Sequence, residues 1–385
     1  MHEADTVLSE AVAAGAVPGV VAIAATPDRV IYEGAFGVRR LGEPAPMTLD
    51  TVFRIASMTK AITAAAAMQL VEQGKLALDQ PAREVVPELG TPQVLEGFAA
   101  DGKPQLRPAR GEVTLRTLLT HSSGFGYDVW NADLCRYHRE TGLPAPRSGK
   151  LASLKAPLTF DPGTRWQYSI GIDWAGRMVE AVAGADLETV FQNRIFAPLG
   201  MTDTSYLVRP AMAPRLATVH ARRPEGLVPV QLPSNTPREF FPGGGGLHST
   251  ARDYMRFLQM LLRGGAASGA RVLAEATVRD MLRNHLPAGV EVEPMRSSVP
   301  ESSNDVEFFP GVKKGWGLSF LINEEAIQGA RSAGSVTWAG INNTYYWLDP
   351  VRQVAGAIFT PILPFGDPIV LGLLDRFERA VYRIV

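Results

Sequence analysis

Cysteine is nearly absent: Cys135 is the only one in 385 residues, which excludes an internal disulfide and a cysteine-built zinc site. Histidine is sparse as well. The six histidines are scattered and no His-Glu-x-x-His occurs, so metal-assisted hydrolysis has no footing and neither a metal nor an organic cofactor is expected. An excess of either charge is also missing, with 38 basic against 39 acidic residues, which argues against nucleic acid or an anionic membrane surface as partner. No apolar stretch reaches the ~18 residues of a membrane span. The first ten residues, Met1 to Glu10, show no basic segment followed by an apolar run, so the expectation is a cytoplasmic protein. Nothing in the sequence addresses oligomeric state. Finally, no Gly-x-Ser-x-Gly pentapeptide is found, which removes the usual nucleophile turn of Ser-His-Asp hydrolases.

What is present is Ser57-Met58-Thr59-Lys60 at the head of a long apolar run, Ala61 to Gln73, closed by Gly74. The run is apolar nearly all round and predicts a buried helix. Residues three apart share a helical face, so the Lys60 amine reaches the Ser57 hydroxyl. Burial disfavours the ammonium and makes a neutral amine available as general base. Ser57 at the helix start also has a backbone N–H placed to stabilise an oxyanion. A Ser-x-x-Lys tetrapeptide arises by chance in many chains. Here, however, only seven of the 38 basic residues are lysines, Lys60 alone has a serine three positions before it, and its flanks are apolar where a solvated lysine would have polar neighbours.

The length allows a large core and two or three domains, or one domain with a big insertion. Ala4 to Ala14 has helical spacing, and Gly19 to Ala25 with Val30 to Val38 reads as a hairpin. Strand character returns at Gly315 to Asn323, Ser332 to Trp338, Thr344 to Leu348 and Gln353 to Thr360, before an amphipathic helix over Asp367 to Ile384. Between them lie helical pieces at Thr114 to Thr120, Asp173 to Ala183 and Leu187 to Phe196. The fold class is therefore α/β (α+β): an antiparallel sheet flanked by terminal helices, formed by residues 1–77 and 234–385, with a mainly helical insert at 78–233. Leu95 to Gly111 and His285 to Gly311 read as surface loops and candidate lids.

Two further stretches carry chemistry. Tyr168 lies in a turn-rich segment, Phe160 to Ile170, before the second helical piece; beside Lys60 it would act as a proton relay. The strand and turn Val336 to Asn343 contains Gly340, which admits a substrate near the backbone, and an N–H on this edge would be a second oxyanion donor. Aromatic residues cluster near these motifs, and Tyr127, Trp338 and Phe241 together with Gly340 are taken as the substrate pocket. His121, next to Ser122 and Ser123, reads as a turn-fixing residue.

Taken together, the Ser57-x-x-Lys60 helix, Leu118 to Gly124, Pro162-Gly163 to Tyr168-Ser169, Pro198 to Met201, Gly243 to Thr250 and Trp338-Ala339-Gly340 resemble the serine β-lactamase and penicillin-binding protein superfamily. Within it, they are most similar to the family VIII carboxylesterases related to class C β-lactamases. The resemblance implies Ser57 as nucleophile, Lys60 as base, Tyr168 as its partner in proton transfer, and the N–H groups of Ser57 and Ile341 as oxyanion hole. Two departures bear on substrate. Ile170 stands where β-lactamases of this type have asparagine, and Trp338-Ala339-Gly340 where they have Lys-Thr-Gly. Both lost groups are polar contacts, one of them to a carboxylate, so an uncharged small-molecule ester fits better than a penicillin. The expected activity is a serine carboxylesterase. Alternatives left open are an acyltransferase using the same acyl-enzyme, a β-lactamase or D-amino peptidase type of amide hydrolase, and a silent binding protein of the same fold.

Overall fold

The computed structural model describes residues 3–267 and 269–385. At its centre is a seven-stranded, wholly antiparallel sheet in the spatial order Lys314–Trp316, Leu321–Asn323, Ser335–Gly340, Thr344–Asp349, Val354–Phe359, Gly19–Ala25, Val30–Gly37. The N-terminal hairpin joins the C-terminal strands through the pair Gly19–Ala25 and Val354–Phe359, as expected. Every residue of Gly19–Ala25, Ser335–Gly340, Thr344–Asp349 and Val354–Phe359 is buried, so these strands are covered on both faces. That is why their sequences read as continuous apolar or aromatic runs rather than a clean alternation.

Neighbouring residues of one strand show what covers each face. Trp347 meets Phe377 of the C-terminal helix Pro368–Tyr382, which packs with the N-terminal helix Glu3–Ala13. Tyr346 points the other way and meets Tyr254 of the helix Ala251–Leu262. The helix Thr59–Glu72 has all its residues from Thr59 to Leu70 buried and lies against the helix Gly171–Ala183. Close approach there depends on glycine: a Cβ on Gly176 would stand 3.2 Å from the Cα of Gly243.

Three sequence expectations need correcting. Leu95 to Gly111 is mostly a hairpin, Gln93–Phe98 paired with Pro104–Pro108, in which only the adjacent Val94 and Leu95 are buried, so the strands carry no apolar periodicity. Gly315 to Asn323 is broken by a turn in which Ser319 has φ +72°, and the Leu318 and Ser319 N–H groups bond to Met281 and Leu119 carbonyls instead of a ladder. The helix over Leu187 to Phe196 changes at Gln192 into a wider, π-type turn. The stretch 285–311 lacks regular structure but is pinned, with Met295 and Val306 exchanging backbone bonds and the Trp130 indole N–H donating to Ser303. Among the described residues no helix is long and apolar enough to cross a membrane.

Gly356 sits directly opposite Trp347, and a Cβ there would lie 2.1 Å from the indole ring. Gly356→Ala is therefore expected to destabilise the sheet by about 1–3 kcal/mol. The midpoint of urea unfolding should fall accordingly; an unchanged midpoint would show that Trp347 can move aside at no cost.

Candidate active site

Ser57 is carried by a single 3-10 turn, Ala56–Met58, that runs into the helix Thr59–Glu72, so the nucleophile candidate lies just ahead of the α-helix rather than within it. The turn is strained. Ala56 has φ +45°, a region a residue with a Cβ rarely adopts, and such strain persists only where neighbours fix it. Here the Ile55 N–H donates to Leu247 O, Thr59 Oγ1 donates to Ala56 O at 2.6 Å, the Tyr254 hydroxyl donates to Met58 O at 2.9 Å, and Asn342 Nδ2 donates to Arg54 O at 3.0 Å. Gly340 completes the clamp. A Cβ there would stand 2.3 Å from Ile55 O, so glycine admits the chain's own backbone at this point.

Lys60 is fully buried, and its Nζ lies 2.6 Å from Gly244 O, 3.1 Å from the Tyr127 hydroxyl and 3.2 Å from Ser57 Oγ. None of these is a carboxylate. Burial drives its pKa down to about 7, while the charge of Asp173 opposes part of that fall. A carbonyl only accepts, so Gly244 must take an N–H from Lys60. In the neutral amine the one lone pair is then open to the hydroxyl of Ser57 or Tyr127. Such an arrangement can take up a proton from the serine hydroxyl.

Asp173, on the first turn of Gly171–Ala183, is buried, and its Oδ1 accepts the Gly244 N–H at 2.8 Å. The Gly244 peptide thus separates carboxylate from amine, its N–H toward one and its C=O toward the other. Burial raises the Asp173 pKa, and the Lys60 charge works against that. Gly244 has no room for a side chain: a Cβ would lie 2.8 Å from the Tyr127 hydroxyl, 3.1 Å from Asp173 Oδ1 and 3.2 Å from Lys60 Nζ. The neighbouring Gly243 O accepts from Thr63 Oγ1 at 2.6 Å, which ties the glycine run to the next turn of the same helix.

Tyr168 is buried, its hydroxyl accepts the Trp338 indole N–H at 3.1 Å, and its ring centroid lies 4.7 Å from Lys60 Nζ. Burial raises its pKa, and the Ser57 hydroxyl and Trp338 N–H partly counter this. His121 sets its position, as a turn-fixing residue would. Its φ is +57°, its carbonyl accepts the Gln167 N–H, and its Nδ1 accepts the Ser169 N–H. Burial, then the Lys60 charge, holds this imidazole neutral. Rings of Tyr127, Trp130 and Trp338 surround Tyr168 at centroid distances of 4.8–5.2 Å.

Ser57, Lys60, Tyr127, Tyr168, Trp338 and Gly340 are thus brought together. Phe241 lies just before the glycine run, its ring tilted against Tyr206 at a centroid distance of 4.8 Å. Tyr127 does more than line a wall, because its hydroxyl touches the lysine nitrogen. Asp173 and Gly244 were missed by sequence reasoning. The glycine run was visible, but nothing in the spacing places Asp173 beside Lys60.

The beta-lactamase family pattern matches residues 4–371. The chain belongs to the beta-lactamase family. Its similarity to particular members extends over nearly its full length. Lovastatin esterase of Penicillium rubens is 32% identical across 98% of this chain and 98% of its own. Monacolin J acid methylbutanoyltransferase of Aspergillus terreus is also 32% identical, covering 98% of this chain and 94% of its own. Among solved structures, unliganded simvastatin synthase from Aspergillus terreus aligns with a TM-score of 0.85 at 31% identity, over 99% of this chain and 97% of that one. This family member is accordingly a serine hydrolase or acyltransferase of beta-lactamase fold.

Gly244→Ala is expected to lower kcat for any acyl substrate about 10- to 100-fold, because the methyl group pushes the base off its partners. Circular dichroism should show the fold retained. Wild-type kcat in the folded variant would mean that the spacing of Lys60, Tyr127 and Asp173 does not matter.

Proposed function

We propose that this chain is a serine carboxylesterase that cleaves small-molecule carboxylic esters through an acyl-enzyme on Ser57. The observation that carries the reading is the fully buried Lys60 amine, 3.2 Å from Ser57 Oγ with only neutral oxygens around it. Ser57 Oγ attacks the ester carbonyl carbon while its proton passes to Lys60 Nζ. The tetrahedral oxyanion is assigned to the N–H groups of Ser57 and Ile341. Collapse expels the alcohol, which takes a proton relayed from Lys60 through a tyrosine hydroxyl, leaving the acyl group on Ser57. Water then attacks the acyl carbon and gives its proton to the base; collapse breaks the bond from the acyl carbon to Ser57 Oγ, that oxygen takes the proton back from Lys60, and the acid is released.

Tyr168 is given the relay, and Tyr127, joined directly to Lys60, shares it. Tyr127, Trp338, Gly340 and Phe241 are assigned to the substrate pocket, with Trp338 acting also by holding the Tyr168 hydroxyl. In this reading residues 78–233 form the inserted unit that brings both tyrosines over the turn carried by 1–77 and 234–385.

A second reading, acyl transfer to an alcohol, is favoured by the aromatic ring set around Tyr168 and by the methylbutanoyltransferase named among the relatives. The two readings share every step up to the acyl-enzyme. Adding an alcohol to a p-nitrophenyl ester assay separates them, since transfer yields a new ester at the expense of the free acid.

Ser57→Ala and Lys60→Ala are expected to abolish turnover of a short p-nitrophenyl ester, and Tyr168→Phe to reduce it roughly 10²- to 10⁴-fold. Near-wild-type activity of the last variant would remove Tyr168 from the relay. A pH profile tests the base. Because the pKa of Lys60 is lowered to about 7, the neutral amine prevails above that pH and is lost below it. The profile of kcat/KM should therefore rise through about pH 7 to a plateau. Asp173 holds the Lys60 pKa up, so Asp173→Asn should move the rise to lower pH; a shift the other way would contradict the assignment of Lys60 as base.

A further inference from the structure

We propose that Arg54, Arg238 and His248 form an anion subsite beside the glycine run, and that it takes the carboxylate of an acidic ester substrate. The proposal rests on the esterase reading for the identity of the substrate, and on geometry of its own for the site. Arg54 and His248 are direct cross-strand partners in the ladder formed by Phe53–Arg54 and His248–Ser249, so their side chains leave it on the same face. Arg54 stands three residues before Ser57. Arg238 comes in from the other side, with its Nη1 3.3 Å from the place a Cβ on Gly246 would occupy.

The run Gly244 to Gly246 thus has Lys60 at one end and Arg238 at the other. Two residues of chain span at most ~7 Å, about the reach of a short acyl chain. Midway, a Cβ on Gly245 would be 3.8 Å from Ala56 C and O, so the run also borders the Ser57 turn.

What marks the cluster is its lack of negative charge. Among the described residues, several partly or fully buried arginines elsewhere in the chain have carboxylates: Arg107 has Asp161, Arg215 has Asp203, Arg222 has Asp367 and Arg331 has Glu378. Arg54 instead donates from Nη2 to the Leu232 and Pro233 carbonyls and to Ser234 Oγ, all neutral. Arg238 donates to the Thr236 carbonyl. Both guanidiniums are partly buried, and burial lowers both pKa values; the Arg238 charge lowers that of Arg54 further. Both ring nitrogens of His248 are buried, and burial, then the Arg54 charge, pushes its pKa down to about 4. Two like charges cost free energy when they are held together, partly buried, in the absence of an anion, and the buried imidazole beside them adds no negative charge. An incoming carboxylate offers both guanidiniums charge-assisted hydrogen bonds.

The site would also replace what the chain has lost. Where Lys-Thr-Gly would hold a carboxylate, Trp338 stands buried against Tyr168, while the arginines lie at the far end of the glycine run. An acidic substrate would therefore lie with its charge toward Arg238 and its scissile carbonyl at Ser57.

The test compares the mono-p-nitrophenyl ester of glutaric acid with p-nitrophenyl butyrate. In Arg238→Gln the ratio of their kcat/KM values, acidic over neutral, is expected to fall roughly 10- to 100-fold, and in Arg238→Lys to recover part of that loss. An unchanged ratio would overturn the proposal. Binding is read separately, as the rise in melting temperature of the wild type with free glutarate, which Arg238→Gln should abolish. A rise with inorganic phosphate and none with glutarate would assign the site to a phosphate group and overturn the carboxylate. A wild type that hydrolyses neither ester, yet shows a glutarate shift dependent on Arg238, would sink the esterase reading and leave the anion site standing.

Discussion

Lys60 places a basic nitrogen where water does not reach, and much of the structure follows from keeping it neutral enough to accept a proton. A buried ammonium is stabilised most by a carboxylate in contact, yet such a contact would raise its pKa and remove the base. The chain resolves this by putting a peptide between the two charges. Gly244 offers its carbonyl to Lys60 and its N–H to Asp173, so the carboxylate acts at a distance and tempers the desolvation without cancelling it. Only glycine fits there. The same requirement explains the composition of the helix behind Lys60. Its four consecutive alanines, Ala64 to Ala67, are all fully buried, so the helix is enclosed on every side by neighbours close enough to exclude solvent.

The second constraint is the turn that presents Ser57. Ala56 holds a left-handed conformation that costs roughly 1–3 kcal/mol, and it is held from several directions at once. Strand Ser335–Gly340, the segment around Leu247, and the hydroxyls of Thr59 and Tyr254 each hold a backbone group of residues 55–58. The sheet, the glycine run and the helix Ala251–Leu262 therefore converge on one three-residue turn. Strand Ser335–Gly340 lies far from Ser57 in sequence, and pairing the C-terminal strands with the N-terminal hairpin in one antiparallel sheet joins the two ends of the chain around the turn.

The elements read correctly from the sequence are those whose pattern reflects one dominant contact. The helix after Ser57 is apolar all round because it is buried all round, and the terminal hairpin and C-terminal strands alternate or run apolar because they are covered. The contact of Lys60 with Ser57 is legible from their spacing and apolar flanks, and the placement of Tyr168 beside Lys60 only when the motifs are read together. The hairpin at 93–108 was hidden because its apolar burial is confined to the adjacent Val94 and Leu95 rather than an alternating face, and the rest of its pairing rests on ladder bonds and ion pairs such as Arg107 with Glu96. Asp173 was hidden for a different reason. A carboxylate at the first turn of a helix has an ordinary local explanation, the helix dipole, and its link to Lys60 exists only through a glycine 71 residues away. Tyr127 was legible as an aromatic near the site but not as a partner of the lysine, since that depends on the turn at Gly124 and Gly126 that aims it.

In the proposed mechanism, the fate of an acyl group on Ser57 would be decided by competition at one carbon. Water and an alcohol would face the same base and the same oxyanion donors, so the chemistry of the attacking O–H does not separate them. The walls do. An alcohol that covers ~100 Å² of the apolar surface around Trp130, Trp338 and Phe308 gains about 2.5 kcal/mol over water from burial alone, close to two powers of ten in attack frequency. That gain is available only if the rings are accessible to the second substrate while the first acyl group is in place. Trp338 is committed to Tyr168, whereas Trp130 and Phe308 are only partly buried and belong to the segments 128–130 and 285–311. Small changes in how those two segments cover the site would shift one catalytic apparatus between hydrolysis and transfer, which is consistent with a family whose full-length relatives include both an esterase and methylbutanoyltransferases.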